Sequence, residues 1–147
     1  DGAIYLARLS DPGRAHLKTS LDRVCEDLVS AWVPANLGRM FANGISAGLF
    51  DAVIGPGYLT GVLEPTLGAL EARLRVHASR GETRFDAEAA SAIRIAAIGF
   101  LSPLIVALVH QFALGGDRCR PMDVAAFCRE HVEAFVRAYG TVDRRAR

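Results

Sequence analysis

Lysine is nearly missing from this chain of 147 residues: Lys18 stands alone, arginine carries the rest of the positive charge, and 16 acidic residues leave a formal net charge of +1. A protein that coats nucleic acid with its own surface needs a basic excess, so this balance argues against that class. The arginines at Arg144, Arg145 and Arg147 read as a solvated end. Cysteine is also sparse. Cys25, Cys119 and Cys128 are odd in number and have no Cys-x-x-Cys spacing, which argues against a disulfide framework or a zinc ribbon and favours a reducing, cytoplasmic setting. Cys128 and His131 lie three apart on a helical pattern, yet with Cys119 they make only three of the four ligands of a closed metal site. Neither a metal nor a cofactor is expected.

Signals for catalysis are missing as well. The chain has no paired Glu-x-x-His, no Gly-x-Ser-x-Gly elbow, no P-loop and no dinucleotide fingerprint, so no enzyme is expected. No leader pattern opens it, and the first residue is not methionine, which suggests a fragment or a trimmed chain. No Asn-Gly or Asp-Gly turn separates alternating apolar runs, so strands are not expected.

What remains is helical. Hydrophobic residues make up 51% of the chain, enough for one packed domain spanning 1–147. The first helix is expected to begin at Asp11-Pro12 and to carry Leu17, Leu21, Val24, Leu28 and Trp32 on one stripe until Pro34. Two short pieces, 35–43 and 46–53, follow, closed by a break at Gly55-Pro56-Gly57. Residues 58–79 form a leucine-striped helix through Leu59, Leu63, Leu67, Leu70 and Leu74, with a kink at Pro65 and a surface pair Glu71–Arg75. Arg80-Gly81 stops it, Asp86 caps a helix over 87–114, Gly115-Gly116 closes that one, and a last amphipathic helix covers 121–139 before Gly140.

The helix over 87–114 is apolar on every side, and residues 95–116 contain no charged side chain. Such a helix belongs either to a core or to a membrane. Gly99, Ser102, Pro103, His110 and Gln111 interrupt the run, which favours a soluble protein with no membrane partner. In so small a domain its second apolar side calls for a partner, most economically a second copy of the chain. The expected architecture is therefore all-α, with two C-terminal helices per chain forming a dimeric four-helix bundle. The face predicted for that homodimer comprises Leu101, Ile105, Leu108 and Phe112 with Val124, Phe127, His131 and Phe135.

From Leu59 onward the order of features resembles the C-terminal half of a TetR-family transcriptional regulator. It runs from a leucine-striped helix through the hinge Arg80-Gly81-Glu82-Thr83-Arg84-Phe85-Asp86 to an alanine-rich apolar helix, a Gly-Gly loop and an amphipathic helix ending at Tyr139-Gly140. The resemblance implies dimerisation through 87–139, an effector pocket among the helices of 11–79, and control of DNA binding by a helix-turn-helix that this chain does not contain. Its partners would be a second copy and a small apolar or amphipathic effector. Residues placed in the ligand pocket are Trp32, Met40, Phe41, Phe50, Tyr58, Leu63, Phe100 and Leu104. Gly44, Gly48, Gly55 and Gly57 would make the surrounding region adaptable, or simply end helices. A helical homodimeric module without a ligand and a membrane-associated protein using 95–116 are the rival readings.

Overall fold

In the computed structural model, residues 2–141 are described, and the arginine tail lies outside them. Among the described residues the regular elements are all helices, joined by turns, apart from one isolated antiparallel bridge, Thr83 to Gly140. Helix α1 spans Gly2–Ser10, α2 Leu17–Trp32, α3 Leu37–Phe50, α4 Ile54–Tyr58, α5 Glu64–Ser79, α6 Ala90–Leu108, α7 Gly116–Cys119 and α8 Val124–Tyr139. Two π turns, Leu59–Leu63 and Val109–Ala113, extend α4 into α5 and lengthen α6.

The leucine stripe of α2 is buried as the spacing requires, with Leu21, Leu28 and Trp32 almost sealed. It meets Leu70 and Leu74 of α5, Ile93, Phe100 and Leu104 of α6, and Val132 and Phe135 of α8 in one core. Each such side chain contributes about 1.5–3 kcal/mol on burial.

Several expectations need correction. Residues 2–10 form a helix that no sequence signal announced, since nine residues are too few for a convincing period; its hold on the fold is tertiary. Asp11 does not open α2. Its carboxylate accepts from Gly13 N at 2.8 Å in a tight turn, and α2 begins only at Leu17. The pieces 35–43 and 46–53 are a single helix, and Gly55-Pro56-Gly57 is not a break but part of α4. Pro56 sits in the first turn there, where its missing N–H costs nothing. The expected kink at Pro65 takes the form of the π turn Leu59–Leu63: widening the preceding turn relieves the clash of the proline ring with the carbonyl four residues back. Glu71 pairs with Arg94 of α6 at 2.9 Å rather than with Arg75, and Glu64 binds the same guanidinium at 2.8 Å. Asp86 offers only its backbone carbonyl, to Ala89 N, so α6 starts later than expected, at Ala90. Asp123, not Pro121, opens α8, its carboxylate accepting from Ala126 N at 3.0 Å.

The glycines of α3 and α4 serve close approach. A Cβ at Gly44 would overlap the Tyr58 ring, and one at Gly55 would lie 2.8 Å from the Gly48 carbonyl oxygen, so the α3–α4 hairpin closes only because these side chains are missing. Gly68 in mid-α5 faces open space. Opposite signs follow for one chemical change. Gly44→Ala should destabilise by about 1–3 kcal/mol through overpacking, whereas Gly68→Ala should stabilise by about 0.5–1 kcal/mol through helix propensity; urea unfolding of the two variants checks both.

Candidate functional site

The side chains expected to hold a ligand separate into three groups. Met40 and Phe41 of α3 line a cleft of about 300 Å³ between α1, α3, the end of α2 and the π turn before α5, together with Tyr5, Leu6, Val62 and Thr66. That volume sits at the small end of the range for small-molecule pockets, and the walls are mainly apolar. Trp32 stands behind the cleft wall, its ring stacked on Phe41 with centroids 5.9 Å apart. Leu63 packs against the same core from the π turn. Phe100 and Leu104 are sealed in the core, where Phe100 meets the Phe135 ring edge-on at 5.2 Å, so they support the fold rather than line this cleft. Phe50 is 90% exposed at the end of α3 and encloses nothing. Tyr58 is half-buried against Gly44; burial raises its phenol above the ordinary range, and its hydroxyl is buried without a hydrogen-bond partner.

The residues expected at a dimer face are largely consumed by the chain's own packing. Leu101, Ile105, Leu108 and Phe135 are buried in the core. Val124 and Phe127 pack partly against it, and His131 Nε2 is hydrogen-bonded to the Phe100 carbonyl at 2.8 Å. Only Phe112 is open, at 50% exposure. On α6 the apolar surface that is left uncovered lies one face round from these: Ile95, Ile98 and Val106 are exposed at helical spacing, with Gly99, Ser102 and Pro103 between them. By length and composition alone Ala90–Ala113 is apolar enough to cross a membrane, and half of it is buried against the other helices.

A second constellation went unread in the sequence. Arg73 of α5 is buried, and its guanidinium gathers the loose end of α1 and the start of α2. Its Nε donates to the Leu9 carbonyl at 2.6 Å, its Nη2 to the carbonyls of Arg8 and Asp11 at 2.6 and 2.9 Å, and its Nη1 to Ser20 Oγ at 2.6 Å. Burial lowers the guanidinium below the ordinary arginine range, with Asp11 and Asp27 acting against that; it remains charged. From Ser20 the chain of bonds continues to His77 Nε2 at 2.9 Å, and from His77 Nδ1 to Glu82 Oε2 at 2.9 Å. The same carboxylate oxygen accepts from Leu17 N at 2.6 Å, so Glu82 caps α2 from across the fold. A carboxylate only accepts, which places the imidazole proton on Nδ1 and lets Ser20 donate to Nε2.

Ser20, His77 and Glu82 are thus connected in the order of a nucleophile, base and orienting acid. Ser20 is fully buried and engaged by Arg73, so no substrate atom reaches its hydroxyl in this arrangement, and the series acts as a brace. The hinge around Glu82 explains itself in the same terms. Gly81 supplies a left-handed turn at φ 71°, Arg84 N donates to the Tyr139 carbonyl at 2.7 Å, and Arg84 Nε donates to the Gly140 carbonyl at 3.0 Å. Among the described residues no group of three or more His, Cys, Asp or Glu side chains converges as a metal site. No family model, no curated protein and no solved structure matches the chain.

Two outcomes follow from the brace. Arg73→Met removes every donor at once and leaves three main-chain carbonyls and Ser20 without it, so it should cost about 3–5 kcal/mol, measured by urea unfolding. His77 is held below its ordinary value of 6.5, chiefly by burial, with Glu82 pulling the other way. The folded state therefore binds fewer protons than the unfolded chain, so stability is full above pH 6.5 and falls as the pH drops below it. Thermal unfolding at stepped pH should show that loss, and His77→Gln should flatten it from a lower starting stability.

Proposed function

We propose that this chain is the effector-sensing and dimerisation domain of a TetR-like transcriptional regulator, acting in the cytoplasm and without a catalytic step of its own. The observation that carries this reading is the outward face of α6. Ile95 and Val106 are 62% and 67% exposed in a run that holds no charge from residue 95 to 116. An apolar stripe of that length on a single chain marks a surface that is covered in use. A second copy fits it, because a two-fold axis sets the stripe against itself and the small residues Gly99 and Ser102 let two helices come close. This shifts the dimer face from the Leu101, Ile105 and Leu108 side of α6 to its opposite side.

The cleft at Met40 and Phe41 supports the sensing half of the proposal. It is floored by apolar side chains, and it lies between α1 with α5 on one side and α3 on the other. A small apolar effector seated there shifts the population only by its differential affinity for two arrangements of these helices. A DNA-reading segment joined to the domain would respond to that shift.

Native mass spectrometry of the chain as purified tests both halves. The expected species is a dimer, retaining a small apolar molecule, and Ile95→Glu combined with Val106→Glu should convert it to a folded monomer because both positions are exposed. A wild-type monomer would overturn the assignment. A dimer that also binds no apolar probe such as Nile red would favour the interaction module over the sensor.

A further inference from the structure

Cys25 and Cys128 lie far apart in the sequence, but α2 packs on α8 and sets the two thiols close enough on one cavity wall for each to shift the other's acidity. Both are free thiols, 2% and 9% exposed. They are not sealed off, since both form part of the wall of a cavity of about 470 Å³ between the two helices. Lys18, Asp22, Glu26 and Arg129 stand around it, so it admits water and small polar molecules. Cys119, on α7, is exposed.

The two thiols differ in character. The hydrogen bond from Cys25 holds Cys128 below the ordinary thiol range, with Arg129 acting in the same direction and burial against it. That same bond, and then burial, pushes Cys25 up. The thiolate, which is the reactive form, therefore arises at Cys128, the more exposed of the two.

We propose that Cys25 and Cys128 are a redox-active dithiol, converted by small hydroperoxides entering the α2–α8 cavity into a disulfide that ties these helices together. The Cys128 thiolate attacks the terminal peroxide oxygen, the S–O bond forms as the O–O bond breaks, and the other oxygen takes up one proton and leaves as water from hydrogen peroxide or as an alcohol from an organic hydroperoxide, giving a sulfenic acid on Cys128. The Cys25 sulfur then attacks the Cys128 sulfur. The S–S bond forms, the S–O bond breaks, and the Cys25 proton leaves with the hydroxyl as water. Two thiols are oxidised by two electrons in total and one hydroperoxide is reduced by the same two. Because Cys25 stands beside Cys128 on the same cavity wall before oxidation, condensation outruns further oxidation of the sulfenic acid. The cavity shares no lining residue with the cleft at Met40 and Phe41, so the site stands independently of the proposed sensing function.

The test is treatment of the reduced, folded chain carrying Cys119→Ser with hydrogen peroxide, followed by alkylation, digestion without reductant and mass spectrometry. The expected product is a peptide pair joined through Cys25 and Cys128, reversed by dithiothreitol and accompanied by a higher Tm. On that background, Cys128→Ser should slow loss of the Cys25 thiol by about tenfold or more, and Cys25→Ser should leave a sulfenic acid on Cys128 that dimedone traps. The proposal is overturned if both thiols stay open to alkylation after unfolding of the treated protein. It is equally overturned if Cys128 proceeds to the sulfinic acid while Cys25 stays free. Should the serine variants fail to fold, the cross-linked peptide in the Cys119→Ser chain decides alone.

Discussion

The guanidinium of Arg73 is the interaction on which the arrangement of the first half of the chain depends. Helix α1 is short and ends in carbonyls that no helical N–H can reach, the turn at Asp11 has the same need, and α2 starts without a side-chain cap from its own N-terminal residue. One charged side chain from α5 satisfies the first two, and through Ser20 and His77 it is connected to Glu82, which satisfies the third. Removing a charge from water is expensive, and here the cost is offset because the donors of Arg73 meet preformed acceptors instead of a single counter-ion. The consequence is a rigid corner in which α1, α2, α5 and the 80–86 segment hold one another.

That corner also explains why part of the architecture was legible from the sequence and part was not. The core faces of α2, α5 and α8 follow from apolar spacing, because Leu21, Leu28, Leu70, Leu74 and Val132 recur at a period that only a helix satisfies. Helix α1 carries no such signal, and Arg73 reads on paper as one more surface arginine, since nothing local distinguishes a guanidinium that will be buried by residues some sixty positions earlier. The break expected at Gly55-Pro56-Gly57 failed for a related reason. Glycine and proline mark turns when the backbone is free, but here Gly55 allows a close crossing with Gly48, and Pro56 falls where a helix tolerates it.

The candidate site shows the same division. Of the side chains expected in a ligand pocket, Met40 and Phe41 line the cleft, with Trp32 behind Phe41. The sequence could not separate a cavity wall from a filled core, so Phe100 and Leu104 were grouped with them although they are sealed under α8. Nor could it say which side of an all-apolar helix faces inward. On α6 every stripe is apolar, and only the packing of α5 and α8 decides that Leu101 and Ile105 turn in while Ile95 and Val106 turn out.

The contrast between a braced corner and a lightly held hairpin bears on how an effector would act. Helices α3 and α4 pack chiefly on each other, and around them Leu49, Phe50 and Val53 are left almost fully exposed. Among the described residues no buried ionic group comparable to Arg73 fixes them. Elements with few buried contacts open at the lowest free energy, so they are the ones a bound molecule can reposition. On the proposed reading the cleft has one rigid wall, from α1 and α5, and one compliant wall, from α3. A ligand filling it would gain most by drawing the α3 wall onto itself, and the π turn that carries Val62 and the segment Val109–Ala113 that meets α3 are the places where such a movement would be felt by α5 and α6. Because α6 also bears the uncovered stripe, a change at the cleft reaches the proposed dimer face through directly touching helices, with no need for a longer route.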